Sequence, residues 1–420
     1  MSIHVAARND DVYDRLESSV RSYCRDYPRS FAKASGSTLF TEEGDEYLDL
    51  LAGCGALNYG HNHPRLKEEL MAYVMADGLA MGLDLHSQAK SRFLEAFERC
   101  VLAPRSLDYR VQFCGPTGAN AIEAAIKLAR KATGRRNVLA FTNGFHGCSL
   151  GALSLTANGH HRAASRSLLD GVVRVPFDGY LGKGVDTALY IEKLLRDPSG
   201  GVDPPAAIVM EVVQGEGGLN EAGKEWAASI SRLADEVGAV LIVDEIQTGC
   251  GRTGTFFAFE RIGIRPGIVT LAKSLSGFGL PLAAVLVRPD LDVWKPGEHN
   301  GTFRGNCHAF ITAAAALETF WKDDALTKRI ARSSAFLASE LEKIAGRKGA
   351  RVRGVGMMIG LDFGSSEVAA AVKRKCFDNR LVVENCGPSD EVLKLLPPLN
   401  ILESDLKRAV SIISDAVDAV

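Results

Sequence analysis

A carboxylate and a lysine each follow an apolar run in this 420-residue chain. Asp244 ends the run 241–243, and Lys273 comes directly after the run 268–272. Apolar runs of this length, bounded by polar residues, are typical of buried strands in a parallel sheet. Because chemistry in open α/β sheets lies at the carboxyl ends of such strands, an anion and a nucleophilic amine would meet there. Either residue alone is more often a helix cap or a solvated surface group.

A glycine-containing turn offers a phosphate site. Residues 110–114 have the composition of a short strand, and apolar residues at i, i+3, i+4 and i+7 spacing predict a helix over 120–130. Thr117, Gly118 and Ala119 lie between them. Their backbone N–H groups would stand at the positive end of the helix dipole, where a phosphate binds well.

An aromatic residue follows a further apolar run. Phe145 comes after the run 138–141 and lies near Gly144 and Gly147, which would allow a flat ring to approach closely. The alternative is that Phe145 is an ordinary core residue. Taken together, a lysine, an acid, a phosphate site and a stacking ring are what pyridoxal phosphate requires of a protein.

Several motifs occur in the order and spacing of the class III pyridoxal-phosphate aminotransferases, and the chain resembles this family from about residue 30 to residue 400. Lys273 stands where the family carries its cofactor-binding lysine. The motifs are Thr117-Gly118-Ala119, Phe145-His146-Gly147, the EVVQGEGG segment 211–218, the DEIQTGCGRTG segment 244–254 and the NYGHNHP segment 58–64.

The resemblance implies a role for each matching residue. Lys273 would hold the cofactor and then shuttle a proton, and Asp244 would pair with the pyridinium nitrogen. Phe145 would stack on one face of the ring, and Gln247 would hydrogen-bond its phenolate oxygen. The remaining cofactor-binding positions would be Thr117, Gly118, Ala119, His146, Glu211 and Thr302.

Thr302 resembles a threonine that reaches the phosphate in the partner subunit of this family. If it does so here, active sites are shared across a homodimer or a higher homo-oligomer, and a monomer is inactive.

Substrate recognition departs from the family pattern. Many members carry an arginine just before the Pro-Pro segment, where it clamps a substrate carboxylate bidentately, but this chain has Lys394. Glu216 matches the residue that gates that arginine. Carboxylate recognition would fall to Lys394, to Arg304 or to both, and the alternative for Lys394 is a solvated strand residue.

Finer detail resembles one branch of the family, whose members serve ectoine synthesis. These enzymes move an amino group from L-glutamate to L-aspartate 4-semialdehyde and give 2-oxoglutarate and L-2,4-diaminobutyrate by a ping-pong mechanism. One alternative is a different amine or aldehyde substrate: ornithine, 4-aminobutyrate or a specialised-metabolite intermediate. Another is a lyase or aminomutase reaction on the same fold. A catalytically silent protein is disfavoured by the presence of Lys273 and Asp244. The matching segments are 58–61, 82–84, 112–118, 294–306 and 393–399.

Alternating strand and helix patterns predict an α/β protein, and the resemblance implies the fold type I of pyridoxal-phosphate-dependent transferases. A large cofactor-binding domain, 58–314, would hold a mixed, mostly parallel sheet flanked by helices. The ranges 1–57 and 315–420 would form a small, discontinuous α+β domain. Predicted elements include a hairpin (37–40 and 47–51), a helix at 223–236, strands at 239–243, 354–362 and 381–384, and a terminal helix from 404.

Bulk composition is that of an ordinary globular enzyme. A net charge of −2 gives no general attraction to nucleic acid, and no apolar stretch reaches the roughly 18 residues of a membrane span. The polar segment 1–11 lacks the apolar core of a signal peptide. The nine cysteines include no C-x-x-C pair, so we expect reduced thiols, no metal site and a cytoplasmic location.

Overall fold

The computed structural model describes residues 12–182 and 184–420. The segment 1–11, for which the sequence predicts no signal core, lies outside the described residues, and so does the start of the predicted range 1–57. Within the described ranges, no helix is both long enough and apolar enough to cross a membrane.

A seven-stranded sheet forms the centre of the protein. Neighbouring strands run parallel except Ala284–Val287, which is antiparallel to both of its neighbours. The prediction of a mixed, mostly parallel sheet is therefore confirmed. In spatial order the strands are Arg110–Phe113, Ala284–Val287, Ile268–Leu271, Val240–Asp244, Ala207–Met210, Val138–Phe141 and Val172–Val175.

The helices cover this sheet with apolar faces that the sequence indicates. The helix Gly118–Thr133 buries Ile122 and Ile126, which lie on the predicted apolar face, and it ends at Gly134 in the left-handed region. The helix Lys224–Val237 buries Trp226 and packs beside the strand it precedes. The other helices of eight or more residues are Pro64–Met75, Gln88–Phe97, Thr187–Arg196, Cys307–Phe320, Ala325–Lys348, Ser366–Asp378 and Glu403–Asp418.

Short helical segments connect these elements. The α-helical ones are Val12–Leu16, Tyr23–Asp26, Ala52–Gly55, Leu150–Leu155, Gly159–Arg162 and Phe259–Ile262. Glu98–Leu102 is a π-helical turn. The 3-10 helical turns are Ala103–Arg105, Ala163–Leu168, Lys273–Ser276, Pro289–Leu291 and Thr302–Gly305.

A second sheet joins the two ends of the chain. The predicted hairpin is confirmed, because Thr38–Thr41 pairs antiparallel with Glu46–Asp49. Phe31–Ser35 extends this sheet on one side, and Leu381–Val382 pairs parallel with Glu46–Asp49 on the other. The domain boundaries at 57 and 314 stay a prediction.

Two predicted strands near the C-terminus are wrong as single elements. The range 354–362 forms the end of Arg351–Val355 and the whole of Met358–Asp362, because the chain reverses at Gly356, where φ is +66°. A Cβ atom there would lie 2.6 Å from the backbone of Thr253. The range 381–384 is divided between sheets: Leu381–Val382 belongs to the second sheet and Glu384 to a third, of order Arg351–Val355, Met358–Asp362, Val392–Leu395 and Glu384–Cys386. A separate two-stranded ribbon pairs Val213–Gln214 with Asn220–Glu221.

Candidate active site

One cavity of about 410 Å³ brings together ten of the thirteen residues that the sequence singles out. We call it the central cavity. The strands that end in Asp244 and just before Lys273 are parallel neighbours, with Asp244 opposite Thr270. The carboxylate and the amine therefore reach the same edge of the sheet, as predicted. The ten residues are Thr117, Gly118, Ala119, Phe145, His146, Glu211, Glu216, Asp244, Gln247 and Lys273.

Lys273 occupies a strained position at the start of a helical turn. Its φ is +46°, in the left-handed region that side chains with a Cβ seldom adopt. Such a conformation costs of order 1 kcal/mol or more and persists only where the surrounding structure enforces it. The next residue shows how: the Ser274 hydroxyl donates to the Gly55 carbonyl (2.7 Å) and accepts from the Asn58 N–H (3.0 Å).

Three donors converge on the Asp244 carboxylate, which is almost fully buried. Oδ1 accepts from the Ile246 N–H (3.0 Å) and the Thr270 hydroxyl (3.2 Å), and Oδ2 lies 2.7 Å from His146 Nδ1. Burial works to lower the pKa of His146, but its hydrogen bond with Asp244 and the charge of Asp244 outweigh burial and raise that pKa. The histidine thus supports the anionic form of Asp244.

Glu211 acts on the backbone around the cavity. Its Oε2 accepts from the Phe145 N–H (3.0 Å) and its Oε1 from the Gly215 N–H (3.2 Å). Burial raises the pKa of Glu211 to about 7. This carboxyl group therefore ties the loop that carries Phe145 to the turn that carries Gly215. The Phe145 ring meets His161 edge-on, with ring centroids 5.3 Å apart.

Gln247 is held in the cavity by a side chain and a backbone carbonyl. Its Nε2 donates to Glu216 Oε1 (3.0 Å) and to the Cys54 carbonyl (3.2 Å). A Cβ atom on Gly215 would lie only 1.8 Å from Gln247 Oε1, so a side chain there would displace the Gln247 amide. The predicted hydrogen bond from Gln247 to a cofactor oxygen stays a prediction.

Lys394 is fully buried, so its interpretation as a solvated strand residue is wrong. It does not line the central cavity but lies directly behind Glu216. Its Nζ lies 2.9 Å from Glu216 Oε1 and 3.0 Å from Glu384 Oε1, and it donates to the Gly215 carbonyl at 3.3 Å. Burial works to lower the pKa of Lys394, but the two carboxylates raise it well above its usual value.

The two carboxylates that flank Lys394 differ. Burial works to raise the pKa of Glu216, yet Lys394 and Lys273 lower it to about 2. Burial raises the pKa of Glu384, and the charge of Glu216 adds to that effect. Glu216 is therefore the firmly ionised partner of Lys394.

Sequence reasoning missed Glu384 and the two side chains beside it. The Tyr23 hydroxyl lies 2.7 Å from Cys54 Sγ and donates to Glu384 Oε2 at 3.4 Å. A signal for Glu384 was present, because it follows the apolar run 381–383 just as Asp244 follows 241–243. No comparable signal marks Tyr23 or Cys54.

Two further predicted residues lie outside the central cavity of their own chain. Thr302 is exposed in the turn Thr302–Gly305. Arg304 forms an ion pair with Asp84 and donates to the His299 carbonyl at 3.3 Å. Their predicted roles toward cofactor and substrate stay predictions.

Comparison with known proteins gives a consistent family. Residues 22–417 match the class III aminotransferase family, and the chain belongs to it. It is 52% identical over 413 residues to a diaminobutyrate–2-oxoglutarate transaminase of Vibrio parahaemolyticus, covering 98% of each chain. A protein of the same name from Nocardia farcinica is 51% identical, covering 98% of this chain and 94% of that one.

A solved structure shares the fold at lower identity. The ornithine aminotransferase of Toxoplasma gondii superimposes with a TM-score of 0.84 and 28% identity, covering 97% of this chain and 93% of that one. The expected fold of pyridoxal-phosphate-dependent transferases is therefore confirmed, and the chain is a transaminase.

The central cavity suits pyridoxal phosphate, the cofactor of this transaminase. The first turn of the helix Gly118–Thr133 leaves the N–H groups of Gly118 and Ala119 without intrahelical acceptors, as a phosphate site requires. A Cβ on Gly118 would lie 2.9 Å from Ile246, so the backbone there is closely packed. Asp244 offers a buried anion for the pyridinium nitrogen, and Lys273 offers the amine.

Proposed function

We propose that the chain moves an amino group between L-glutamate/2-oxoglutarate and L-aspartate 4-semialdehyde/L-2,4-diaminobutyrate by a ping-pong mechanism. The observation that carries this proposal is Glu216, which lines the central cavity and pairs with the fully buried Lys394 behind it. Lys394 offers one cation of point-charge type where related enzymes use an arginine. Relatives named diaminobutyrate–2-oxoglutarate transaminase, about half identical over nearly the whole chain, support the choice of substrates.

Pyridoxal phosphate supplies an electron sink when it is bound. Lys273 Nζ moves the proton at the reacting carbon, and its strained backbone directs the side chain into the cavity. Asp244, supported by His146, would hold the pyridinium nitrogen in its protonated form. Phe145 would cover one face of the cofactor ring, and Gln247 would bind its phenolate oxygen.

Lys394 and Glu216 would distinguish the substrates of the two half-reactions by the position of their carboxylates. Glutamate reacts at its α-carbon and brings an α-carboxylate directly to the reacting centre. We propose that Glu216 then releases Lys394, whose ammonium group takes this carboxylate. The semialdehyde reacts at its far carbon and brings no carboxylate there, so the ion pair stays closed during that half-reaction.

The active site is proposed to be completed by a second copy of the chain. Exposed apolar side chains surround Thr302 in sequence and in space: Leu83, Leu85 and Phe303 are each at least 45% exposed. The two segments are joined by a bridge between Met81 and Asn306. In a homodimer this surface would be buried, and Thr302 and Arg304 would reach the partner's cavity. We further propose a cytoplasmic enzyme that serves ectoine synthesis.

The test is an absorbance spectrum of the purified holoenzyme as substrates are added in turn. Glutamate should bleach the long-wavelength cofactor band, and aspartate 4-semialdehyde should restore it. Lys273→Ala, the control, should show neither the band nor turnover. Recovery with another aldehyde but not with this one would replace the acceptor, and an unbleached band with glutamate would overturn the proposed donor.

A further inference from the structure

Glu384 is a second carboxylate beside Lys394, which already pairs with Glu216. Lys394 already has an ionised partner in Glu216, whose Oε1 accepts from both Lys394 Nζ (2.9 Å) and Gln247 Nε2 (3.0 Å). Within the described chain, Glu384 Oε1 has only an ion-pair contact with the same Nζ, at 3.0 Å and without good hydrogen-bond geometry, although its side chain is only 7% exposed. The charge of Lys273 also works to lower the pKa of Glu384, which burial raises, so two lysines face two carboxylates while that amine is free. Once Lys273 holds the cofactor, one ammonium would remain between two buried carboxylates, which is costly.

The position of Glu384 relates it to the central cavity. Cys54 Sγ donates to Glu384 Oε2 at 3.7 Å, and the Cys54 carbonyl holds Gln247. Ala56, two residues further on, lines the cavity with Gln247 and Glu216. The Glu384 carboxylate therefore lies behind the part of the cavity wall formed by Ala56, Gln247 and Glu216. Lys273, which carries the reactive amine, lines the same cavity.

The two proposed substrates differ in what they present to this wall. Glutamate keeps only carboxylates once its α-amine has reacted. Aspartate 4-semialdehyde and 2,4-diaminobutyrate react at the far carbon and keep a free α-ammonium group. A buried carboxylate with spare acceptor capacity is suited to such a group, since charge-assisted hydrogen bonds are about twice as strong as neutral ones.

We propose that Glu384 receives the α-ammonium group of aspartate 4-semialdehyde and of 2,4-diaminobutyrate, and so selects these substrates over analogues that lack it. This inference rests on the proposed function. Glu384 is then a specificity residue for one half-reaction, while Lys394 serves the other. Burial raises the pKa of Glu384, and the charge of Lys394 works against that effect.

The test compares 2,4-diaminobutyrate with 4-aminobutyrate, which differs only by lacking the α-amino group, in the wild type and in Glu384→Gln. The preference for diaminobutyrate, as a ratio of kcat/KM, should fall about 10- to 100-fold in the variant, the loss expected for one hydrogen bond between charged groups. The glutamate half-reaction should change by a smaller factor than this preference, because Lys394 keeps Glu216 as its ionised partner. Asp378→Asn, an exposed carboxylate at the end of the helix Ser366–Asp378, should change neither.

A purely structural role for Glu384 predicts a different pattern. Both amines would then lose the same factor and the preference would be unchanged, which overturns the inference. A wild type that does not use diaminobutyrate overturns the proposed function and the inference with it. The two failures are distinguishable because one appears in the wild type and the other only in the variant.

A binding measurement tests the same contact without turnover. Calorimetry on the pyridoxamine form should show homoserine, which keeps the α-ammonium, binding at least tenfold tighter than 4-hydroxybutyrate, and Glu384→Gln should remove the difference. Should Glu384→Gln fail to fold, Glu384→Asp keeps a charge for Lys394 but withdraws it by one methylene group. An undiminished difference in either variant overturns the inference.

Discussion

The Asp244 carboxylate receives contacts from three elements, and each comes from a different part of the chain. Thr270 lies on the neighbouring strand, Ile246 on the following turn and His146 on a distant loop. All three favour a negative charge on a carboxylate that is almost fully buried. Such preorganisation has its largest effect on a reaction in which charge develops nearby.

Asp244→Asn should therefore retain the fold and lose most of the rate. Asparagine has almost the same shape, but it cannot balance a protonated pyridinium nitrogen. We expect a fall in kcat on the order of 10²–10³ or more, measured in single-turnover experiments with glutamate. Asp235→Asn, on the exposed face of the helix Lys224–Val237, is the matched control. A rate near that of the wild type would remove Asp244 from its role.

Residues of the cavity were predictable where the chemistry coincides with a local pattern. Asp244 and Lys273 end apolar runs, and Thr117 to Ala119 stand between a strand and a helix. The surroundings of Glu384 were not predictable in the same way. Tyr23, Cys54 and Glu384 come from segments far apart in the chain, and only the pairing of distant elements brings them into contact.

The segment Phe257–Ile262 depends on Glu245, the carboxylate next to Asp244 in the chain. Glu245 Oε1 accepts from the Phe259 N–H (2.9 Å) and Oε2 from the Thr248 hydroxyl (2.7 Å). Burial raises the pKa of Glu245 from 4.5 to about 7. Between these two values the folded state binds more protons than the unfolded state, so the stability of the fold decreases as pH rises.

Glu245→Gln should remove this pH dependence. From pH 4.5 to pH 7.5 the wild type should lose about 3 kcal/mol of unfolding free energy relative to the variant. Urea titrations at a series of pH values measure the difference, and the contributions of other groups cancel. A constant difference between the two proteins across this range would contradict the prediction.

The turn after the strand Val213–Gln214 is built around one glycine. A Cβ on Gly215 would overlap Gln247 Oε1 and approach Met358 within 2.6 Å. Gly215→Ala should therefore displace Gln247 and Glu216 and lower kcat/KM by at least tenfold. Gly346→Ala, in the helix Ala325–Lys348 with nothing within 4 Å, should stabilise the protein by about 0.5–1 kcal/mol and leave the kinetics unchanged. Equal kinetics in both variants would show that the turn tolerates a side chain.

Helices and strands were predicted best where the apolar residues of a segment follow a single regular spacing. The helix 223–236 is found at Lys224–Val237, and the terminal helix begins at Glu403. The range 354–362 failed because Gly356 reverses the chain inside an apolar run. Apolar composition shows that a segment is buried, but it does not show where a buried chain turns.

At the scale of the whole molecule, the proposed sharing of active sites can be tested by mixing subunits. Lys273→Ala removes the reactive amine of one cavity, and Thr302→Ala would remove a phosphate contact of the other. If Thr302 serves the partner's cavity, a dimer with one chain of each kind has one intact site and one doubly altered site. Activity after the two variants are unfolded and refolded together should exceed the sum of their separate activities. Simple additivity would place Thr302 outside the partner's site.

The position of the antiparallel strand Ala284–Val287 affects how the chain can fold while the ribosome synthesises it. This strand separates Ile268–Leu271 from Arg110–Phe113, so the latter has no sheet partner until the chain has been synthesised past residue 287. The turn that follows Arg110–Phe113 must wait as long, and in the second sheet the edge at Glu46–Asp49 waits for Leu381–Val382. Apolar strand edges thus stay unpaired through most of translation, a period in which such chains are prone to aggregate. A nascent chain of this kind is expected to depend on chaperones until its last segment emerges.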